Sequence, residues 1–571
     1  MSDQLEDKIK VARGEGRVDL LLKNANLVNV LSGEIYPADV AIYGDTIVGF
    51  GHYDAERELN LAGKFLCPGF IDAHVHIESS MVIPAEYARA VVPRGTTSVI
   101  SDPHEIANVM GIEGITLMAK MAGGIPLNTY IMLPSCVPAT DMETSGAQLD
   151  ARDLEGLRDK EWALGLGEVM NVPGVIGCMP DTLEKIMIAR GKPIDGHGPG
   201  LVGKDLAAYI TAGIRSDHEC TNLEEAREKL RSGMAILIRE GSMAKNLEDL
   251  LPLVTTENAR RCLFASDDRH PDDLMEEGHL DFILRKSVRL GLSPMTAIQM
   301  ATFNGAEIYG LESVGAVAPG FKSDLVVLDD LESFVVHSVF KDGRLVAQEG
   351  KMLPGIIAPK GMEIKNTMKM KSVRPEALMI KAKGRLAKVI EIIPGQLVTK
   401  AVVEPLTIRD GKVDADPERD ILKVAVFERH TASGNIGLGF VRGFGLKGGA
   451  IGSSVAHDAH NVVVVGDNDA DMVVAADEIA AMGGGLVVAQ SGEISEALAL
   501  PLAGLMSDQD IEHVGEQLKL MRKVCRDMGC RLEDPFMAIA FLSLPVIPEI
   551  RVTDRGLVDV GQSRIVSLFG E

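Results

Sequence analysis

Between residues 71 and 310, short apolar stretches alternate with amphipathic helical patterns, and no other feature of the sequence restricts the possible folds as strongly. Each apolar stretch runs into polar residues, as in TTSVISDP, NTYIMLPS, ALGLGEVM, PIDGHGPG, GIRSDHE, AILIREGS and CLFASDD. About seven or eight such strand–helix units predict an α/β fold, a (β/α)8 barrel of the TIM type. Such barrels carry their chemistry at the C-terminal ends of the strands, where these polar residues lie.

The segments on either side of the predicted barrel have a different pattern. Residues 18–63 and the residues after 311 contain short β-like stretches separated by turn residues, which is typical of a β-sandwich. We therefore predict a discontinuous β-sandwich domain from residues 1–70 and 311–360, interrupted by the barrel at residues 71–310. Residues 361–571 mix strand and helix patterns and predict a C-terminal α+β domain. A chain of 571 residues is too long for one hydrophobic core, which agrees with several domains.

Two helices have predictable ends. In TNLEEAREKL, Thr221 and Glu224 have the spacing of a capping box at a helix start. In SPMTAIQMATFNGAEIYG, Ser293 is the predicted cap, Pro294 suits the first turn and Gly310 suits the position after the end.

Composition excludes several classes of partner. The formal net charge of −24 argues against nucleic acid and anionic membranes, because an acidic surface repels both. No apolar run reaches the ~18 residues of a membrane span. The 7 cysteines contain no CxxC pair and favour a reducing compartment, and the charged N-terminus is unlike a secretory signal. We expect a cytoplasmic enzyme that binds neither nucleic acid nor membranes.

His74 and His76, in IDAHVHIESS, lie two residues apart at the end of an apolar stretch. On a strand, this spacing points both rings to one face, which at a barrel strand end is the mouth of the barrel. Two converging imidazoles suit a divalent metal ion. Two hydrogen-bonded structural histidines would give the same pattern, and the pair alone does not separate these interpretations.

Further side chains of the metal-binding type follow other predicted strands: Glu168, His197, His218 and Asp267. Any one of them would be explained by capping or by a polar contact in the core. Together with the histidine pair, they place such residues at five strand ends, which favours a metal cluster. Mixed nitrogen and oxygen donors admit zinc, manganese or iron.

Longer motifs carry a family resemblance. PGFIDAHVHIESS resembles the first-strand signature of the amidohydrolase superfamily, whose members have a β-sandwich split by a (β/α)8 barrel. The stretches SDPHEIANVMG, PSCVPAT, DGHGPGL, AYITAGIRSDHE, IREGS, SDDRHPDDL and GGAIGSSVAHDAHN resemble those of the bacterial and archaeal adenine deaminases. This resemblance covers nearly the whole chain and is far more specific than the histidine pair.

The resemblance implies a role for each candidate ligand. His74 and His76 match the pair that holds the more buried metal, and Glu168 matches a carboxylate that bridges two metals, where many superfamily members have a carbamylated lysine. The remaining positions match ligands on strands five, six and eight: His197, His218 and Asp267. The resemblance thus implies a binuclear centre of manganese or iron, with zinc as an alternative. It also implies adenine and water as substrates and a homodimer as the assembly.

Deamination of adenine needs a nucleophile at C6 and a proton at the adjacent ring nitrogen. A metal lowers the pKa of water from 15.7 to about 7. We expect Asp267 to act as the base that takes the proton of this water. We expect Glu105, in DPHE after the second strand, to carry a proton to the ring nitrogen, with His104 beside it to stabilise or orient it.

Several residues keep two interpretations at this stage. Glu105 also suits the first turn of a helix with Asp102 as its cap and Pro103 in the first turn. Glu78 would orient a ligand histidine or occupy a comparable helix start. Arg239 and Glu240 would contact the base or form ion pairs at the barrel rim, and we favour the ion pair for Arg239.

His457 and His460, in AHDAH, have three interpretations: a loop that closes over the barrel mouth, a further ion site, or a polar turn. The main rival function is an amidohydrolase that opens a cyclic amide of the hydantoin or dihydropyrimidine type, because it would use the same fold and ligands. A scaffold that has lost its chemistry would show a broken ligand set, which this sequence does not. The zinc deaminases with an HxE and a PCxxC motif do not fit, because no PCxxC is present.

Overall fold

The computed structural model describes residues 2–355 and 365–570. The domain boundary predicted between residues 360 and 361 lies outside these described residues. None of the helices in the described ranges is long and apolar enough to cross a membrane.

Eight parallel strands form the barrel that the sequence predicts. They are β1 (Phe70–Val75), β2 (Thr96–Ser101), β3 (Asn128–Leu133), β4 (Ala163–Val169), β5 (Ile194–Gly196), β6 (Ser216–Asp217), β7 (Ala235–Arg239) and β8 (Cys262–Ala265). Strands β1–β5 pair in one sheet and β6–β8 in another. Backbone hydrogen bonds join the two sheets at both ends, from Arg215 N to Ile194 O (3.1 Å) and from Asp267 N to His74 O (3.0 Å). The predicted (β/α)8 fold is therefore confirmed.

Helices surround these strands and cover their apolar outer face. They are Pro84–Val91, His104–Met110, Ile112–Met121, Ala151–Arg158, Val172–Ile176, Pro180–Ile188, Gly203–Thr211, Leu223–Arg231, Leu247–Leu250, Pro271–Glu276, Leu280–Arg289, Pro294–Met300 and Phe303–Tyr309. Short 3-10 turns lie at Ile77–Ser80, Val92–Arg94, Leu251–Leu253 and Ala259–Arg261.

The capping box predicted at Thr221 and Glu224 is wrong by one residue. The helix Leu223–Arg231 follows Asn222, whose side-chain oxygen accepts a hydrogen bond from Glu225 N at 3.0 Å. Asparagine is at least as good a cap as threonine, so the helix begins one residue later than the sequence suggested.

The helix predicted over residues 293–310 begins and ends as expected but is interrupted. Ser293 caps its first part and Gly310 ends its second part in a left-handed conformation (φ 65°). Between the two parts, the carbonyl of Ala301 accepts a hydrogen bond from Ile71 N of β1 (2.7 Å). This carbonyl is therefore hydrogen-bonded to the barrel strand, and the chain bends at this residue.

The segments before and after the barrel pair in one nine-stranded sheet. Its strands are Val18–Asn29, Glu34–Tyr43, Thr46–Phe50, Ala55–Asn60, Phe65–Pro68, Leu325–Leu328, Val336–Lys341, Arg344–Gln348 and Lys351–Met352, and the helix Ser2–Ala12 precedes them. The two segments meet where Leu325 pairs with Pro68 in antiparallel register. The exact boundaries given above for the discontinuous domain stay a prediction.

The C-terminal region combines sheets with helices, as predicted. Its eight-stranded sheet contains Leu386–Ile392, Thr399–Pro405, Leu422–Phe427, Ile436–Arg442, Ala450–Ser453, Val462–Gly466, Gly485–Gln490 and Glu493–Ala499. Two three-stranded sheets comprise Ile380–Lys381, Thr407–Arg409 and Lys412–Asp414, and Ile550–Thr553, Gly556–Asp559 and Arg564–Val566. The helices are Asp469–Ala481, Ile511–Asp527 and Pro535–Ala540, with 3-10 turns at Pro375–Leu378 and Pro417–Arg419.

Candidate metal centre and active site

The histidine pair of β1 lies at the mouth of the barrel. His74 and His76 are both buried, and their Nε2 atoms are 3.1 Å apart. Asp72, two residues earlier on the same face, accepts hydrogen bonds from His74 N (3.3 Å) and from Ser266 N (3.1 Å). Strand β1 is thus fixed to the end of β8, and both imidazoles point into the same space.

Glu168, at the end of β4, lies at the centre of the candidate ligands. Its Oε1 is 3.9 Å from His74 Nε2 and 3.4 Å from His76 Nε2, whereas its Oε2 is 2.5 Å from His197 Nδ1 and 3.2 Å from His218 Nε2. Burial favours the protonated acid, but the facing histidines, His197 foremost, hold the pKa of Glu168 well below its usual range. One buried carboxylate therefore faces two separate histidine pairs.

Asp267 follows β8 and completes the set. Its Oδ1 is 3.2 Å from His76 Nε2, and its Oδ2 accepts a hydrogen bond from Arg239 Nη1 at 2.9 Å. Burial opposes ionisation, but the Arg239 guanidinium holds the pKa of Asp267 well below its usual range. Arg239 also pairs with Glu219, so it forms the ion pair that we favoured. Glu240 points elsewhere and pairs with Lys286 at 2.8 Å.

His104 and Glu105 lie on the helix that follows β2. His104 Nδ1 is 3.4 Å from Glu168 Oε1, and its Nε2 is 3.3 Å from Glu105 Oε1. Glu105 occupies the first turn of this helix, as one interpretation expected, and its proton-carrying role stays a prediction. Asp102, however, does not cap the helix, because its Oδ2 accepts the hydrogen bond of Glu168 N at 3.0 Å.

Glu78 does not contact a ligand histidine among the described residues. Its Oε1 accepts a hydrogen bond from Ile106 N (3.3 Å), which supports the start of the same helix. Burial raises the pKa of Glu78 to about 7. Of the two alternatives given for Glu78, the helix start is observed, because Glu78 lies in the first turn of Ile77–Ser80, and the orienting role stays a prediction.

The C-terminal region reaches into the barrel mouth, which the sequence patterns alone left undecided. His457 Nδ1 lies 2.5 Å from Glu105 Oε1, and His460 Nε2 contacts Glu105 Oε2. Between these two histidines, Asp458 is buried, with its Oδ1 3.9 Å from His104 Nε2. The structure places AHDAH in a loop at the barrel mouth, and Glu105, His457 and His460 also offer ligand atoms within 4.8 Å of one another, so the ion-site interpretation stays open at this point. The concentration of polar residues in AHDAHN was the only signal of this loop.

The side chains present fit a divalent metal ion. Histidine nitrogens and carboxylate oxygens within 4.8 Å of one another form two groups around Glu168, one with His74 and His76 and one with His197 and His218. This donor chemistry suits zinc, manganese or iron. Within the described ranges, all eight side chains predicted for the site converge here: His74, His76, His104, Glu105, Glu168, His197, His218 and Asp267.

A cavity of about 60 Å³ lies over these groups. Barrel residues form its floor, and the C-terminal region contributes an apolar wall that includes Met537, Phe541 and Leu544. A larger cleft of about 1690 Å³ borders it and shares His197 and Arg239 with it. The site therefore lies between the barrel and the C-terminal region.

Comparisons with known proteins agree with this geometry. Residues 65–346 match the Amidohydrolase family, and residues 396–564 match the Adenine deaminase C-terminal domain. The chain is 50% identical over 563 residues to an adenine deaminase of Desulfatibacillum aliphaticivorans, covering 98% of this chain and 99% of that one. It is 49% identical over 569 residues to one of Kosmotoga olearia, covering 99% and 98%. It is 47% identical over 571 residues to one of Methanothrix thermoacetophila, covering 100% of both.

The barrel and its metal-binding residues define the class as an amidohydrolase with a divalent metal site. Within that class, the chain belongs to the adenine deaminase family.

Proposed function

We propose that this protein hydrolyses adenine to hypoxanthine and ammonia. The observation that carries the proposal is the unbroken set of ligands around Glu168, in a chain about 50% identical over nearly its full length to adenine deaminases. A scaffold that had lost the activity would be expected to lack at least one of these ligands.

The two carboxylate oxygens of Glu168, which face different histidines, support a binuclear centre. His74 and His76 would hold one ion, His197 and His218 the other, and Glu168 would bridge them, with Asp267 as a further ligand. We propose manganese or iron, with zinc as the alternative. When bound, such ions lower the pKa of a water molecule to about 7 and so supply hydroxide at neutral pH.

The side chains of the barrel then move protons. Asp267 accepts one proton of the attacking water as its oxygen bonds to C6. Asp267 passes this proton to the amino group, which leaves as ammonia when the C6–N bond breaks. The ionised Glu105 takes the other proton of the water and delivers it to N1 of the ring, so that the C6 carbonyl of hypoxanthine forms and both carboxylates end ionised. His104, between Glu168 and Glu105, orients Glu105 during both transfers.

The decisive experiment is a parallel measurement of ammonia and hypoxanthine from adenine, using protein reconstituted separately with manganese, iron and zinc. Equal amounts of both products are expected. Dihydrouracil and hydantoin serve as controls for the rival amidohydrolase activity. Ring opening of either compound, with no reaction of adenine, would refute the proposed substrate and leave the family assignment intact.

We further propose that the protein is a cytoplasmic homodimer. All seven cysteines are unpaired in the described structure, which supports a reducing compartment. Light scattering coupled to size-exclusion chromatography tests the dimer, and a mass of one chain would refute it.

A further inference from the structure

Glu105 has partners on both carboxylate oxygens, and both come from a loop more than 350 positions later in the chain. His457 Nδ1 faces Oε1 at 2.5 Å, and His460 Nε2 faces Oε2. All three side chains are buried. Because an ionised carboxylate only accepts hydrogen bonds, each imidazole must donate an N–H to it.

The position of the proton on the His460 ring follows from the hydrogen bond at its other ring nitrogen, Nδ1. Ala456 N donates a hydrogen bond to His460 Nδ1 at 3.1 Å, so Nδ1 is an acceptor and carries no proton. A neutral imidazole then carries its proton on Nε2, which is the atom that faces Glu105. Burial also lowers the pKa of His460 to about 4, which agrees with a neutral ring. A protonated Nε2 is not free to bind a metal ion.

The loop that carries both histidines is held from several sides. His460 N donates to Ala456 O at 2.7 Å, and His457 N donates to Ala540 O at 2.8 Å. The His457 ring stacks on Phe541, with centroids 4.5 Å apart. The buried guanidinium of Arg429 donates to His460 O. These contacts fix the two imidazoles before any substrate arrives.

We propose that His457 and His460 are positioning residues that clamp the Glu105 carboxylate in the orientation needed for proton transfer. Oε1 also faces His104 Nε2 at 3.3 Å, so the clamp leaves Oε2 a further lone pair that can face the substrate. The C-terminal region is thereby a functional part of the active site and not only a cover for it. This inference rests on the proposed function, because it assigns Glu105 its proton-transfer role.

The test compares substitutions that remove the donor with substitutions that keep it. His460→Leu and His457→Leu are expected to lower kcat with adenine by at least about 10-fold, because a displaced carboxylate transfers protons poorly. His460→Gln keeps an N–H near the Nε2 position and His457→Asn keeps one near Nδ1, so both should recover most of the loss. His513→Leu, at an exposed position of the helix Ile511–Asp527, is the matched control.

A double-mutant cycle separates the clamp from a general structural role. In a Glu105→Gln background, His460→Leu should lower kcat by less than about 2-fold more, because its effect passes through Glu105. A full additional loss would overturn the clamp, as would wild-type activity in both leucine variants. Loss of bound metal in His460→Leu would also overturn it, because His460 would then be a ligand.

A measurement made without substrate distinguishes failure of the clamp from failure of the proposed deaminase function. A downfield imidazole N–H proton resonance is expected in the wild-type protein, absent from His460→Leu and shifted in Glu105→Gln. If adenine is not deaminated but this pattern is seen, the proposed function fails and the clamp stands. If adenine is deaminated and the resonance is the same in all three proteins, the clamp fails and the function stands.

Discussion

Glu168 has a contact pattern that a single metal ion would not require. Its Oε1 faces His74 and His76, and its Oε2 faces His197 and His218. A carboxylate shared in this way is suited to hold two cations at a short separation. Its low pKa has the same origin, because positive charge on either side favours the ionised form.

A first prediction concerns metal stoichiometry. Wild-type protein should bind about two ions per chain, whereas His197→Ala should bind about one, because His74 and His76 still hold theirs. Elemental analysis after dialysis gives the stoichiometry, and His513→Ala is the control because its side chain is exposed. Two ions per chain in His197→Ala would contradict the assignment of His197 as a ligand.

A second prediction concerns the base. Asp267→Asn keeps the size of the side chain but removes its ability to take a proton, so kcat with adenine should fall by ~10²–10⁴-fold. Metal content must be measured on the same sample, since Asp267 also faces His76. Asp508→Asn, at an exposed position, is the matched control. Turnover within a few-fold of wild type, with metal bound, would exclude Asp267 as the base.

The residues predicted from the sequence share one property: each lies in the last two residues of a barrel strand or within four residues after it. Strand ends in a (β/α)8 barrel meet at one rim, so local patterns place His74, Glu105 and Asp267 together without any knowledge of packing. His457 and His460 differ, because they contact Glu105 across 352 and 355 positions of the chain. Spacing and periodicity carry no information on such a contact.

At the scale of helices and strands, the sequence pattern predicted correctly that these elements exist but placed some of their ends wrongly. All seven strand-like stretches named from the sequence contain a barrel strand. Two of the errors occurred where a tertiary contact competed with a local signal, whereas the error at Thr221 arose from a competing local cap, Asn222. Asp102 bonds to Glu168 N and not to its own helix, and the Ala301 carbonyl bonds to Ile71 N and so interrupts a helix.

The corrected helix start at Asn222 gives a third prediction. Asn222→Ala should lower the free energy of unfolding by about 1 kcal/mol, because Glu225 N loses its hydrogen-bond acceptor. Thr221→Ala is the neighbouring control and should change stability by less than about 0.5 kcal/mol, since Thr221 is exposed. Urea unfolding of both variants measures the difference. A larger loss in Thr221→Ala than in Asn222→Ala would restore the capping box that the sequence suggested.

At the scale of the whole molecule, the barrel and the C-terminal region are joined by buried charges as well as by the active site. Arg522, on the helix Ile511–Asp527, pairs with Asp272 of the barrel and with Asp534. Asp534 also lies 3.1 Å from His270 and caps the helix Pro535–Ala540. This cluster holds the C-terminal region, which carries the loop with His457 and His460, on the barrel face.

The charge of Asp534 gives the last prediction. Burial favours its protonated form, but His270 and Arg522 hold the pKa of Asp534 well below its usual value. A lowered pKa in the folded state adds stability that is complete above the unfolded pKa of about 3.9 and is lost as pH falls towards the folded pKa. Asp534→Asn retains an oxygen that can cap the helix but removes the charge, so it should cost ~3 kcal/mol at pH 7.

The lowered pKa of Asp534 also predicts how the free-energy cost of Asp534→Asn changes with pH. The difference between wild type and Asp534→Asn in urea unfolding should shrink steadily below pH ~4, because the unfolded wild-type chain then gains a proton at Asp534 that the folded protein binds only at a lower pH. Asp527→Asn, exposed at the end of the same helix as Arg522, should show little difference at either pH. A cost that stays constant from pH 7 to pH 3 would mean that Asp534 stabilises the interface through its shape and not its charge.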